Sequence, residues 1–157
     1  LVTAYLFSTL FHSLIFTKAK KVFRILDHAS IFLLIAGTYT PFALLAMPPT
    51  TGLVLLVIIW GLAAAGITLR AVRPSGKIKV FLLIYLSMGW IAVVASRSFL
   101  PSFPLVGLRL LITGGLFYST GTIFYVWRKL PFSHGVWHLF VMAGSFCHFL
   151  AVLLLIT

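Results

Sequence analysis

The protein is a chain of 157 residues, of which 62% are hydrophobic and only 8% are charged. Soluble domains carry about 45–50% apolar and about 25% charged residues, so this composition excludes a soluble globular domain and a disordered chain. Twelve Lys and Arg residues against one acid give a net charge of +11, which in a soluble protein would indicate a nucleic-acid partner. Here the basic residues cluster in short gaps between apolar segments, so we expect membrane lipids and no nucleic acid as partners.

The apolar segments predict a polytopic bundle of transmembrane helices. A membrane-spanning helix needs about 20 mostly apolar residues, and the chain has room for about six. We predict an all-α fold in one integral-membrane domain, residues 1–157, with helices at about 1–17, 26–46, 53–70, 78–97, 105–127 and 134–157. Proline, with glycine in two cases, marks the breaks at 47–52, 73–76, 100–104 and 130–131. Because residue 1 already lies in an apolar run, we expect the first helix to be partly truncated.

The distribution of basic residues predicts an orientation in the membrane. Alternate gaps and their edges hold ten basic residues, whereas the other two gaps hold only Arg97 at an edge. Loops rich in Lys and Arg stay in the cytoplasm, so we expect a plasma-membrane protein whose C-terminus lies outside. The ten residues are Lys18, Lys20, Lys21, Arg24, Arg70, Arg73, Lys77, Lys79, Arg128 and Lys129.

Five polar side chains fall where apolar helices should not carry them. Ser8 and His12 are four residues apart and share a helical face, as do His134 and His138. Asp27, the only acid, opens the second predicted helix. All lie within a few turns of the basic gaps; His12, for example, precedes Lys18 by six residues, or about 9 Å of helix. Polar groups in a membrane need partners or a purpose, so we treat these five as candidate site residues.

The residue types favour a metal site. Two His at i and i+4 can bind one ion from a helix face, and a third completes the three-nitrogen set that catalytic zinc accepts. The zinc ligands would be His12, His134 and His138. Asp27 could orient a zinc-activated water and take its proton, and Ser8 could donate to a developing oxyanion. The structural alternatives are that each His is a hydrogen-bonded packing residue and that Asp27 is a helix N-cap.

Three further residues are interpreted as structural. His28 points about 100° away from Asp27 and is expected at the membrane interface. His148 is expected to have a hydrogen-bonded role in the core, and Cys147 to pack as a small apolar residue.

The order of these motifs resembles the hemolysin III family, within the progestin and adiponectin receptor (PAQR) superfamily. The residues that carry the resemblance are Ser8-x₃-His12, Leu26-Asp27-His28-Ala29-Ser30, the run LLIAGTYTPF at 33–42, and His134-x₃-His138. The resemblance implies a seven-helix bundle, six of whose helices would be present here. It also implies zinc held by three His that match His12, His134 and His138, with Asp27 contacting the metal through water and Ser8 alongside.

Three functions remain open from the sequence. The first is a zinc-dependent intramembrane hydrolase of a lipid amide or ester, with a ceramide-like substrate whose acyl chain lies among the helices. The second is a pore-forming cytolysin, and the third is a receptor or sensor with a structural zinc. The clustering of titratable residues at one end of the bundle gives little support to a pore, which needs a polar path across the membrane.

Overall fold

The computed structural model describes residues 1–14, 16–73, 78–99, 103–127 and 129–156. Lys77 and Arg128, two of the ten basic residues, lie outside the described residues. The described part of the chain forms six α-helices and no strand. They are α1 (Val2–Ser13), α2 (Lys20–Leu45), α3 (Pro49–Val72), α4 (Ile78–Phe99), α5 (Leu105–Val126) and α6 (Ser133–Ile156).

The helices have the character of a membrane bundle. Within the described residues, three of them, α2, α3 and α6, are long and apolar enough to cross a membrane. A shorter apolar stretch, Lys79–Ala95, lies in α4. Large apolar side chains such as Val57, Leu83 and Leu139 are exposed on the outside of the bundle, which is the surface that a lipid bilayer would cover.

The core lies where α2 packs against its neighbours. α2 packs along α3 and α1, while α5 packs along α6. Phe32 on α2 and Ile59 on α3 are fully buried. The Tyr39 hydroxyl on α2 lies 2.9 Å and 2.8 Å from the carbonyl oxygens of Met88 and Gly89 and accepts the Ala92 N–H at 2.9 Å. This phenol therefore fastens α2 to α4 in the middle of the bundle.

The helix bounds differ most from the expected ones in the first half of the chain. α2 begins at Lys20, six residues earlier than predicted, and its N-cap is Ala19. Lys and Arg are good helix formers whose long side chains can reach out of an apolar layer, so the basic run continues the helix. The interpretation of Asp27 as an N-cap is therefore wrong. α1 ends at Ser13, four residues early, and α3 begins at Pro49, a position that suits proline at a helix start.

Candidate metal centre

Side chains from α1 and α6 meet at the predicted site. Ser8 Oγ on α1 lies 3.0 Å from His138 Nε2 on α6. The same His138 Nε2 lies 3.1 Å from His134 Nε2, one helical turn away. Ser8 is only 3% exposed, and both histidines are partly buried. The three side chains therefore form one connected polar cluster in an otherwise apolar bundle.

His12 lies at the edge of this cluster. Its ring centroid is 4.7 Å from that of His134, and the planes are tilted by 54°. Unlike the other members it is exposed. Exposed side chains change rotamer on the picosecond to nanosecond timescale, so His12 is the most easily rearranged member of the cluster.

Asp27 approaches the cluster from α2. It is 7% exposed, and the groups that act on its carboxyl include the Ser8 hydroxyl and the His12 ring. The Ser30 hydroxyl donates to the Asp27 carbonyl oxygen at 2.6 Å, within the same helix. Three helices thus contribute to the site, as the common depth of these residues in the sequence predicts.

The imidazole nitrogens of the cluster are atoms that zinc accepts as ligands, but the described side chains do not bring three such donors to one point. Two imidazole nitrogens on one tetrahedral zinc, each at about 2.05 Å, are separated by about 3.3 Å, close to the 3.1 Å between His134 and His138. Among the described residues, however, no group of three or more His, Cys, Asp or Glu side chains is placed so that it could hold a metal ion. A three-nitrogen set requires the exposed His12 side chain to turn towards the other two.

Aromatic side chains hold the two α6 histidines in place. The Tyr5 hydroxyl donates to the His138 carbonyl oxygen at 2.9 Å, and the Trp137 ring lies 4.5 Å from the His138 ring. Gly121 on α5 allows α6 to pack close to α5 at this level, because a Cβ on residue 121 would lie only 2.8 Å from Phe140 Cβ on α6. Tyr5 was missed by the sequence reasoning, although its position three residues before Ser8 places both on one helical face.

A cavity of about 460 Å³ opens from the site into the bundle. Asp27 and His138 line it near the cluster, and Phe42 and Phe103 line it farther along. Asp27 and Phe42 are fifteen residues apart on α2, so the lined length is about 22 Å. The volume lies in the range of small-molecule pockets, and the mostly apolar lining suits a hydrocarbon chain.

His28 lies inside the bundle and not at the interface as expected. Its side chain is buried, with Nδ1 2.7 Å from the Arg24 carbonyl oxygen and Nε2 3.2 Å from the Tyr125 hydroxyl. The Tyr85 hydroxyl donates to the His28 carbonyl oxygen at 2.9 Å. Because α4 and α5 flank α2 at this level, the His28 side chain, which points about 100° away from Asp27, lies among other helices and not in the headgroup layer.

Arg70 is the functional candidate that the sequence reasoning did not single out. It was assigned to the basic edge of a loop, yet it is 4% exposed on α3, with its guanidinium carbon 4.7 Å from the centroid of Phe81. A signal was present in the sequence. Gly66 and Ala63, also buried, precede Arg70 at helical spacing and place it on the inner face of α3.

His148 and Cys147 lie away from the cluster. His148 Nε2 is 3.2 Å from the Leu111 carbonyl oxygen, which confirms a hydrogen-bonded role between α5 and α6. Cys147 is a free, partly buried cysteine.

Comparison with known proteins supports the resemblance drawn from the motifs. The family model described as haemolysin-III related matches residues 1–149. The chain is 48% identical to Hemolysin-3 of Bacillus cereus over 149 residues, covering 95% of this chain and 68% of the relative. It is 46% identical to the Hemolysin-3 homolog of Bacillus subtilis (strain 168), covering 95% and 70%. It is 31% identical to the human monocyte to macrophage differentiation factor, covering 97% and 65%. No solved structure matches it.

Proposed function

Since this chain belongs to the haemolysin-III-related family of membrane proteins, we propose that it is a zinc-dependent intramembrane hydrolase of a lipid amide or ester, with a ceramide-like substrate. The single observation that carries the proposal is the junction of the cavity with the polar cluster. Asp27 and His138 line the cavity, and His138 contacts both Ser8 and His134. A lipid chain in the cavity would bring its carbonyl group to these side chains.

The zinc ion would be held by His12, His134 and His138. Bound there, it would supply Lewis acidity and a water of lowered pKa. The donor chemistry supports this assignment through the 3.1 Å separation between the Nε2 atoms of His134 and His138. Trp137 and Tyr5 pack against the rings of these two histidines and so hold the ligands in position.

The remaining polar side chains have separate roles. Asp27 accepts the proton of the attacking water and passes it to the leaving nitrogen or oxygen of the substrate, because it is the only carboxylate side chain in the sequence and lines the cavity with His138. Ser8 donates a hydrogen bond to the substrate carbonyl oxygen as negative charge develops on that oxygen. Its position supports this role, because Ser8 Oγ lies 3.0 Å from Nε2 of the proposed ligand His138. The buried positions of both residues exclude bulk water and strengthen these interactions.

The cavity binds the acyl chain. Its lining is mostly apolar, and it extends about 22 Å along α2 away from Asp27. Membrane lipids are therefore the partners from which the substrate is drawn.

The basic residues near the start of α2 and the end of α3 support an orientation with the site on the cytoplasmic side and the C-terminus outside. Proteolysis of a C-terminal tag in intact cells tests this orientation, and a tag protected from external protease would contradict it.

Release of fatty acid from a labelled ceramide by the purified protein tests the proposal. Asp27→Asn keeps the shape of the side chain and removes its basicity, so release should fall by about 10²–10⁴-fold while zinc content is retained. Cys147→Ser is the matched control, because it removes the only thiol in the chain and lies away from the cluster. Equal release by the wild type and Asp27→Asn, or release that survives removal of zinc by a chelator, would eliminate zinc hydrolysis.

The alternative functions predict different measurements. A pore needs a polar path, yet Asp27 is the only charged side chain among the described residues that line the cavity. Leakage of dye from liposomes that persists without zinc would support a pore. A receptor with a structural zinc would bind lipid without turnover and lose thermal stability when zinc is chelated.

A further inference from the structure

Arg70 is a buried cation that forms no ion pair among the described residues. It is 4% exposed, and its Nε atom is buried with no hydrogen-bond partner among the described residues. Asp27, the only acid in the sequence, acts electrostatically on Arg70 without forming an ion pair with it among the described residues; its carboxylate lies 4.0 Å from His28 Nδ1. Burying an unpaired charge in an apolar bundle is strongly unfavourable, so we expect Arg70 to take an anion that the described residues do not supply.

A second arginine converges on the same place. Arg24 on α2 also has a buried Nε atom without a partner in the described part of the chain. Arg24 and Arg70 repel each other, and both act electrostatically on the buried ring of His28. The other groups that act on Arg70 are the phenols of Tyr85 and Tyr125, which carry no charge at neutral pH. Two guanidinium groups on adjacent helices therefore lie close enough to interact, and among the described residues only the Asp27 carboxyl offers a negative charge that acts on Arg70.

We propose that Arg24 and Arg70 bind the phosphate group of an anionic membrane lipid. Guanidinium groups present a planar fork of N–H donors that matches phosphate oxygens, and two of them can hold one phosphate from two sides. The lipid is the favoured source, because basic residues lie next to both helix ends and attract anionic headgroups: Lys18 just before α2, Lys20 and Lys21 in its first turn, and Arg73 directly after α3. Phosphate binding there requires neither zinc nor the Asp27 carboxylate as a ligand, although Arg70 acts electrostatically on Asp27.

Thermal unfolding of the purified protein in uncharged detergent, with a chelator present to remove zinc, tests this site. Phosphatidic acid should raise the unfolding temperature in a saturable way, whereas phosphatidylcholine with the same acyl chains should not. Arg24→Gln and Arg70→Gln should each weaken the apparent affinity for phosphatidic acid about tenfold or more. Arg109→Gln is the matched control, because Arg109 is an exposed arginine on α5, and it should leave the affinity unchanged.

The unfolding temperatures distinguish a lipid phosphate from free phosphate and from no bound anion. If inorganic phosphate raises the unfolding temperature as much as phosphatidic acid at equal concentration, the ligand is free phosphate and the lipid assignment is wrong. If no phosphate compound raises it, or if both variants keep the wild-type affinity, the anion site itself is refuted. Should Arg70→Gln fail to fold, the less buried Arg24→Gln carries the comparison, together with Arg70→Lys, which keeps the charge and loses the fork.

Discussion

Replacement of His138 by Ala should sharply weaken zinc binding. His138 Nε2 lies 3.1 Å from His134 Nε2, so the change removes one of two nitrogens already at zinc spacing. Four-ligand structural zinc sites bind with about 10–16 kcal/mol, so one ligand contributes about 2.5–4 kcal/mol, or roughly 70- to 800-fold in Kd. The substitution also removes the hydrogen bond between Ser8 Oγ and His138 Nε2, which costs the zinc-free protein about 0.5–1.5 kcal/mol of stability.

Competition titration of purified protein against a zinc chelator measures this change directly. His148→Gln is the control, because His148 is a histidine on the same helix about 15 Å farther along and is hydrogen-bonded to Leu111. It should keep the wild-type Kd. A Kd for His138→Ala equal to that of the wild type, or an equal loss in His148→Gln, would refute the assignment of zinc to this cluster.

Two further predictions follow from packing. Gly66→Ala should lower the free energy of unfolding by about 1–3 kcal/mol, because its Cβ would overlap the fully buried Phe32 ring. Gly37→Ala is the control and should not lower it, because a Cβ at Gly37 would meet nothing within 4 Å. Denaturant unfolding measures both variants. Val141→Phe fills the cavity one turn beyond His138, so it should reduce cleavage of long-chain amides more than of short-chain amides at unchanged zinc content, and an equal effect on both would contradict the role of the cavity.

The sequence predicted the helical membrane class and the members of the cluster better than it predicted their contacts. Composition and breaker residues are enough to fix an all-α bundle, because a membrane leaves few other folds open. Spacing along separate helices places Ser8, Asp27 and His138 at one depth, but lateral contact depends on how helices pack. That is why the exposed position of His12, at the edge of the cluster, could not be foreseen.

The basic residues show the limit of reading charge alone. The positive-inside rule assigns Arg24 and Arg70 to the edge of the membrane, and it says nothing about which way their side chains point. α2 continues through its basic start at Lys20, so Arg24 lies within the helix and its Nε becomes buried. Arg70 follows the buried face of α3. The inward position of Arg70 can be predicted only from its helical spacing to Gly66 and Ala63.

The bond between Ser8 and His138 joins residues 130 positions apart in the chain. During synthesis, Ser8 and Asp27 enter the membrane long before α6 leaves the ribosome. A nascent chain that has not yet inserted α6 therefore holds the carboxylate and hydroxyl without either α6 histidine, and under the proposed function it could not cleave the surrounding lipids. The proposed site therefore forms only when α6 docks against α1, which ties any activity of this site to the packing of these two helices.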